Sequence, residues 1–413
     1  MRSQVVQQKV FEDAIALRQP RIVKMELMLT EACNLGCSYC FEYGAEHNRS
    51  MSKVTAFAAV DFLTNASRDT DWVGIAFMGG EPLLRFDVVR DVVAYAELLA
   101  RRYGKKLTFD MQTNGVLIRE EHARFFRDRN VRYCLSLDGA QLTHDRHRKT
   151  LGGSGTFQIL AAKMKMLKKY QHWQGARMTV MPEDAALLGE NIRALHEELA
   201  INQFVIGFAT HVEWSDPQIT DYASGLMEAF DYFVDQRVFK KSRRIRIGLF
   251  ELGQLNEAYA KQRESAWGCG AGSGRLAVSP DGTFHGCSKL AWGVTGGSAN
   301  APLPLGSVET GFSQPENRLK LLDHTETPRT KCHSCEIKAH CNGGCYAANF
   351  ADTGEMYVPA DYFCKLMFAQ KHACDYARGR LKELGLENLY WGTDLPDLTN
   401  PFENPEQVYD PVD

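Results

Sequence analysis

The sequence is that of a mid-sized chain without a strong charge. It has 413 residues, of which 44% are hydrophobic and 24% charged, and its net charge is −3 at pH 7. A chain of this length can bury a large core and favours two or three domains. The balanced charge excludes a polybasic surface, so we expect neither nucleic acid nor a membrane as a partner. The sequence has no apolar run of spanning length and no secretory signal core, and we therefore predict a cytoplasmic location.

Six short apolar segments alternate with amphipathic segments between Ile22 and Phe208. The first amphipathic segment begins at Ser52, a residue type that favours the N-cap of a helix. The predicted strands are IVKMELML, VGIAFMG, LTFDMQT, RYCLSL, ARMTVM and FVIGF. Strands that alternate with helices predict a parallel sheet with helices outside it. Such sheets and barrels carry their chemistry in the loops after the carboxyl ends of the strands.

The amino-acid composition of the chain changes near Trp267. Eight of the twelve cysteines fall between Cys269 and Cys374, and the segment RLAVSPDGTFHGC predicts a β-hairpin around a Pro-Asp-Gly turn. We predict the following organisation: an N-terminal extension over 1–21, an α/β domain over 22–240, a linker over 241–264, a cysteine-rich domain over 265–378 and an acidic, proline-rich tail over 379–413.

Three cysteines follow the first predicted strand in the segment TEACNLGCSYCFEYG. Cys33, Cys37 and Cys40 have the spacing C-x3-C-x2-C. In a reducing compartment, clustered cysteines indicate metal rather than disulfides. Three thiolates do not complete a structural zinc site, which usually has four protein ligands. They can hold three irons of a 4Fe-4S cluster and leave the fourth iron open. This spacing resembles the signature of the radical S-adenosylmethionine (SAM) superfamily.

The resemblance implies a partial (β/α)6 TIM-like barrel over residues 22–240. It also implies that SAM binds the open iron, is cleaved reductively and yields a 5′-deoxyadenosyl radical. Further motifs match the family in order: MGGEP after the second strand, QTNG after the third, SLDG after the fourth and HDRHRKTLGG beyond it. The residues implied to contact SAM are Tyr39, Gly79, Gly80, Glu81, Gln112, Asn114, Ser136 and Arg148. No catalytic acid or base is predicted from the sequence.

Seven cysteines of the second half resemble the SPASM extension, which occurs in radical SAM enzymes that modify peptides and proteins. The resemblance implies two auxiliary 4Fe-4S clusters, and three clusters in all. Auxiliary cluster I is held by Cys269, Cys287 and Cys345, and auxiliary cluster II by Cys332, Cys335, Cys341 and Cys364. Zinc is the alternative, since His333 and His340 lie among these cysteines. Cys134 and Cys374 are predicted to pack in the core, although Cys374 could also complete auxiliary cluster I.

The substrate class follows from departures within the family resemblance. Sulfatase maturases typically carry an aspartate just after the hairpin-ending cysteine, but here Ser288 and Lys289 follow Cys287. We therefore predict an oxidoreductase that matures a ribosomally made precursor peptide by forming an intramolecular crosslink. A thioether is favoured, and a C–C or C–O crosslink is next. About twenty residues precede the first strand, so we expect no winged-helix module for a leader peptide.

Three alternatives remain open at this point. One is a formylglycine-forming enzyme of the anaerobic sulfatase-maturase type. Another is an iron-sulfur electron carrier without catalysis, and the last is a zinc-binding protein. For the enzyme we expect a low-potential electron donor, such as flavodoxin or ferredoxin, as a partner.

Overall fold

The computed structural model describes residues 22–40, 48–67, 70–172, 174–235, 246–247, 270–291, 303–322, 330–341 and 343–385. The predicted extension over 1–21, most of the predicted linker, the end of the predicted tail and Cys269 lie outside the described residues. None of the described helices is long and apolar enough to cross a membrane.

Ten strands and thirteen α-helices are found in the described part of the chain. The strands are β1 (Lys24–Met28), β2 (Trp72–Met78), β3 (Lys106–Thr113), β4 (Val131–Ser136), β5 (Gln174–Val180), β6 (Ile201–Phe208), β7 (Arg246–Ile247), β8 (Arg275–Val278), β9 (Thr283–His285) and β10 (Gly306–Ser307). The helices are α1 (Lys53–Ala66), α2 (Phe86–Tyr103), α3 (Glu120–Asp128), α4 (Gln141–His147), α5 (Phe157–Lys168), α6 (Leu188–Leu199), α7 (Asp216–Asp235), α8 (Ser288–Ala291), α9 (Pro315–Leu322), α10 (Thr330–His333), α11 (Lys338–Cys341), α12 (Tyr346–Thr353) and α13 (Asp361–Glu383). Short 3-10 helices cover Pro82–Arg85 and Pro182–Leu187.

The chain divides into two compact units that are interleaved along the sequence. The first consists of Met1–Asn34, Cys40–Thr113 and Cys269–Thr327. The second consists of Leu35–Tyr39, Asn114–Gly268 and Pro328–Asp413. The predicted domain boundaries stay predictions.

The first unit is built on a six-stranded arrangement in the order β10-β9-β8-β1-β2-β3. β1, β2 and β3 run parallel, and β8 also pairs with β1 in parallel, with Met25 opposite Ile75 on one side and Leu276 on the other. β8 and β9 form the predicted antiparallel hairpin. Helix α1 begins as predicted, since the Ser52 side chain accepts a hydrogen bond from the amide of Thr55 at 3.0 Å.

The second unit contains the parallel strands β4, β5, β6 and β7 in that order. Helices α7 and α13 pack against each other through apolar faces. Polar bonds fix their register: Gln370 donates to the Tyr222 hydroxyl at 2.9 Å, and Tyr376 donates to Asp231 at 2.5 Å. The long C-terminal helix, which carries Cys364, therefore belongs to the same unit as β6.

Candidate cofactor-binding site and cysteine clusters

The cysteine loop, residues 30–40, follows β1 and is anchored at its start within the first unit. The buried carboxylate of Glu31 accepts hydrogen bonds from the amide and Nε of Arg49 at 2.9 and 2.7 Å. Thr30 accepts from the amide of Ala32 at 3.2 Å and shares a hydrogen bond with the hydroxyl of Ser50 at 2.8 Å. These bonds hold the backbone that leads into half-buried Cys33.

The later part of the loop is held within the second unit by the end of α4. The amide of Gly36 donates to the carbonyl of Lys149 at 2.9 Å, and the amide of Ser38 donates to the carbonyl of His147 at 3.0 Å. The side chains of Ser38 and His147 also hydrogen-bond, at 2.8 Å, and the other ring nitrogen of His147 lies 2.6 Å from Asp184. Buried Cys37 therefore stands on backbone that is hydrogen-bonded on both sides.

A buried ion pair lies beside Cys37 in the second unit. Arg148 binds Asp138 with two hydrogen bonds, Nε to Oδ2 at 2.8 Å and Nη2 to Oδ1 at 3.1 Å. Asp138 also accepts from the Tyr39 hydroxyl and from the amide of Thr179 at 2.9 Å. Arg148 lies over the Tyr39 ring, 5.3 Å from its centroid. Two predicted SAM-contacting residues are thus joined through Asp138, whose role the sequence analysis missed although SLDG contains it.

The electrostatics of this group favour an anion next to the guanidinium. Burial tends to raise the pKa of Asp138, but the charge and hydrogen bonds of Arg148 outweigh it and hold that pKa below its usual range. Burial raises the pKa of the Cys37 thiol, and the nearby positive charge of Arg148 partly offsets this rise. These surroundings therefore favour the neutral thiol, and a thiolate at Cys37 would need the positive charge of a bound metal centre.

The turn GGEP after β2 packs directly against the start of the cysteine loop. A Cβ on Gly80 would lie 2.2 Å from the carbonyl oxygen of Ala32. A Cβ on Gly79, at φ +118°, would lie 2.5 Å from the carbonyl oxygen of Thr30. The amide of Gly80 donates to the carbonyl of Thr30 at 2.8 Å, and the amide of Glu81 donates to the carbonyl of Ala32 at 3.0 Å. Only glycine permits this close approach of two backbones.

Glu81 is fully buried and serves as an anchor for its surroundings. Its Oε1 accepts from the amide of Leu83 at 3.1 Å and from the Thr113 hydroxyl at the end of β3 at 2.8 Å. The carboxylate therefore caps the 3-10 helix after the turn and ties β2 to β3.

We expect Glu81→Ala to lower the free energy of unfolding by about 1–3 kcal/mol, because two buried donors lose their acceptor. Ser136→Ala, at a half-buried position, should change it by less than about 0.5 kcal/mol. Both variants should weaken SAM cleavage and keep their iron. Chemical denaturation under anaerobic conditions measures the difference, with Glu81→Gln as the control that retains an acceptor. Equal stability of Glu81→Ala and the wild type would contradict the anchoring role.

The remaining predicted SAM contacts lie at strand ends. Gln112 is half-buried near the end of β3, Ser136 is half-buried at the end of β4, and Asn114 is buried, with its Oδ1 accepting from the amide of Val116 at 3.0 Å. Their contact with SAM stays a prediction.

Arg177 is a further cation that the sequence analysis did not select. It stands opposite Ser136 in the β4–β5 register and is exposed. Surrounding atoms nevertheless lower its pKa by desolvation, with Cys134 and Arg148 among its charged neighbours. The signal in the sequence was a charged residue inside the apolar strand ARMTVM.

Cys134 is half-buried, which corrects the prediction that it is a buried core residue. It lies on β4 between half-buried Arg132 and Ser136, whereas Val131, Tyr133 and Leu135 are buried. Alternate residues of a strand face opposite sides, so Cys134 belongs to the less covered face.

Four cysteines of the second unit, predicted to hold auxiliary cluster II, influence one another's pKa values, and their role as cluster ligands stays a prediction. The pKa of Cys364 is raised in part by Cys332 and Cys335, and the pKa of Cys341 in part by Cys364 and Cys332. Burial raises the pKa of Cys341 to about 11, and the amides of Gly343 and Gly344 donate to it. Lys331 supplies a positive charge next to Cys364 and Cys332. A group of thiols with amide donors and a cation fits an anionic iron-sulfur cluster.

The cysteines predicted for auxiliary cluster I are described only in part. Cys287, in the first unit, precedes Ser288, whose amide donates to the buried carboxylate of Glu26 at 2.9 Å. Cys345, in the second unit, immediately precedes helix α12. Cys374 is fully buried, and burial raises its pKa to about 12. Within the described ranges, no three His, Cys, Asp or Glu side chains are arranged to hold a single metal ion.

Comparison with known proteins shows which family the N-terminal part represents. The profile of the Radical SAM superfamily matches residues 27–188, which include the cysteine loop, the GGEP turn and Arg148. This chain contains a radical SAM domain. The predicted SAM dependence and iron-sulfur nature are thereby confirmed at the level of the family.

Curated relatives are similar over different lengths. The cysteine-type anaerobic sulfatase-maturating enzyme of Clostridium novyi is 31% identical over 34% of this chain, and the match covers only 38% of that enzyme. The radical SAM cyclopropyl synthase TigE of Paramaledivibacter caminithermalis is 20% identical over 88% of this chain and 74% of its own length.

Solved structures confirm the predicted fold class. The structure titled native anSMEcpe with bound AdoMet and Cp18Cys peptide has a TM-score of 0.68 at 20% identity, covering 88% of this chain and 98% of that one. Streptococcus suis SuiB bound to its precursor peptide SuiA has a TM-score of 0.57 at 14% identity, covering 87% and 80%. The radical SAM partial barrel followed by a cysteine-rich region is thus the fold of this chain.

Proposed function

We propose that this protein is a radical SAM enzyme that oxidises a ribosomally made peptide and closes an intramolecular crosslink in it. Cys33, Cys37 and Cys40 would hold the 4Fe-4S cluster that binds and reduces SAM. When bound, this cluster and SAM supply the 5′-deoxyadenosyl radical that removes a hydrogen atom from the peptide. The known relatives support a peptide substrate, because anSMEcpe and SuiB are each described in complex with a peptide.

The residues of the chain would position the cofactor and exclude water from it. Arg148 and Asp138, both buried, form a hydrogen-bonded group with half-buried Tyr39 next to Cys37. The GGEP turn holds the start of the cysteine loop through backbone contacts that tolerate no side chain. Such preorganised supports keep the reacting groups within a narrow geometry.

The choice of a thioether rests on one observation, the burial of Cys374. This cysteine is 0% exposed on α13 and influences Tyr222 of α7, a residue of the helix–helix core. We therefore propose that Cys374 packs between these helices and is not a ligand of auxiliary cluster I. Auxiliary cluster I would then have only Cys269, Cys287 and Cys345 as protein thiolates, and its open iron would bind a substrate thiol.

The second candidate is a formylglycine-forming sulfatase maturase, which the likeness to anSMEcpe over 88% of this chain favours. The two products differ in composition. A crosslink removes two hydrogens and keeps every heavy atom of the peptide. Formylglycine formation at cysteine removes the sulfur and introduces a carbonyl oxygen.

We expect the reconstituted enzyme, given SAM, dithionite and a short peptide encoded beside its gene, to produce a peptide that has lost two hydrogens. Mass spectrometry of the same peptide with every cysteine changed to serine is the matched control. This control peptide should remain unmodified if the bond is a thioether. A crosslink that still forms would contradict the thioether and leave the C–C or C–O bond. Loss of sulfur would favour the sulfatase-type activity.

A further inference from the structure

A polar cluster of His211, Asp352 and Tyr362 lies in the second unit, outside the site described above. His211 Nδ1 is 2.8 Å from Asp352 Oδ1, and the Tyr362 hydroxyl donates to Asp352 Oδ2 at 2.5 Å. The backbone amide of His211 donates to the Tyr362 hydroxyl oxygen at 3.0 Å. The Asp352 side chain is only 11% exposed, whereas that of His211 is 31% exposed.

These bonds assign distinct roles to the two ring nitrogens of His211. A carboxylate only accepts hydrogen bonds, so Nδ1 carries the hydrogen that points at Asp352. In the neutral ring, Nε2 then carries a lone pair. Nε2 makes no hydrogen bond to the described part of the chain, and the ring is solvent-accessible. An oriented imidazole with one free nitrogen is the arrangement of a general base.

The backbone of His211 adopts a left-handed conformation. Its φ is +65°, in the region that residues other than glycine adopt only at a cost in free energy. The bonds to Asp352 and Tyr362 hold this conformation.

His211 lies at the same edge of the sheet as Asp138 and Arg148. It lies three residues beyond β6, and the amide of Ala209 donates to the carbonyl of Val180 at 2.9 Å, so β5 and β6 end together. The carboxyl ends of parallel strands share an edge, and at the same edge β4 leads into Asp138 and the Arg148 pair.

The cluster also adjoins an auxiliary cysteine. Asp352 lies on α12, which follows Cys345 directly, and Cys345 is among the charges that act on Tyr362. Lys365 and Asp216 form a neighbouring ion pair at 2.5 Å that joins α13 to the start of α7. His211 therefore lies at the sheet edge that carries Asp138 and Arg148, and its partner Asp352 is on the helix that follows Cys345.

We propose that His211 is the general base that accepts the proton which the peptide loses during its oxidation. This inference rests on the proposed function. After hydrogen-atom removal, the peptide radical must lose one electron and one proton to become a closed-shell product. In thioether formation the S–H bond breaks and the C–S bond forms. The proton would pass to His211 Nε2, and an iron-sulfur cluster, which the auxiliary cysteines would hold, would supply the one-electron oxidant.

The decisive variant is His211→Asn, because asparagine tolerates positive φ and its amide can still donate to Asp352. It lacks a basic nitrogen. We expect peptide modification to fall by about 10²–10⁴-fold, the usual contribution of a general base, while 5′-deoxyadenosine is still formed. The ratio of 5′-deoxyadenosine to modified peptide should therefore rise. Iron content and the electron paramagnetic resonance spectrum of the reduced clusters should match those of the wild type.

A second variant separates chemistry from architecture. Glycine at position 211 accepts the same φ and leaves space for a free imidazole. Added imidazole should restore peptide modification by His211→Gly, which a structural role would not allow. Modification by His211→Asn within about threefold of the wild type would overturn the proposal, as would loss of iron or of SAM cleavage. A wild-type enzyme that cleaves SAM but modifies no peptide would instead contradict the proposed function.

Discussion

Replacing Cys33, Cys37 and Cys40 together by alanine is expected to abolish formation of 5′-deoxyadenosine. The three thiols lie in one short loop, whose backbone is hydrogen-bonded on both sides of Cys37. Without them the proposed cluster that binds SAM has no protein ligand. If three clusters are present, about one third of the iron should be lost and the rest retained. Iron analysis and chromatography of the reaction mixture under dithionite measure both effects.

A matched control for this variant is Cys134→Ala. Cys134 is half-buried on β4 and belongs to neither predicted set of auxiliary ligands. The Cys134→Ala variant should keep all of its iron. Circular dichroism and the retained auxiliary iron report whether the triple variant is folded. Formation of 5′-deoxyadenosine by a folded triple variant would show that the cysteine loop is not the site of SAM cleavage.

Removing the carboxylate of Asp138 is expected to have the largest effect on stability. Arg148 and Asp138 are both buried, and Asp138 also accepts from Tyr39 and from the Thr179 amide. Asp138→Ala leaves a guanidinium buried without its counter-charge. Breaking such a pair costs about 3–5 kcal/mol, which chemical denaturation of the anaerobically purified protein should detect.

Two further variants separate charge from packing at this pair. Asp138→Asn keeps the shape and an acceptor oxygen, so its loss of stability should be smaller than that of Asp138→Ala. The double variant Asp138→Ala/Arg148→Met removes both charges and should recover part of the loss, because no buried charge is left unpaired. A free energy of unfolding for Asp138→Ala within about 1 kcal/mol of the wild type would contradict this account.

Local patterns in the sequence were sufficient for the strands and for the cysteine motif. All six predicted strands of the α/β domain are present, with ends shifted by at most three residues, and the helix after Ser52 begins where expected. The hairpin around Pro280 and Gly282 is also confirmed. These features depend on residues close in the chain: side-chain alternation, capping and turn chemistry act over a few positions. The spacing of Cys33, Cys37 and Cys40 is similarly local.

Contacts between distant segments were decided by the tertiary structure alone. Asp138 is hydrogen-bonded to Tyr39, which is 99 positions away in the chain, and to Arg148, which is 10 positions away. His211 is hydrogen-bonded to Asp352, which is 141 positions away. Nothing in the composition of these segments identifies the partner of each side chain. Pairing depends on the strand register and on the packing of α12 and α13 within the unit that also contains β6. The sequence by itself thus determined which chemistry the cysteines support, whereas the fold decided which charges surround them, because buried charges require partners that only chain closure brings together.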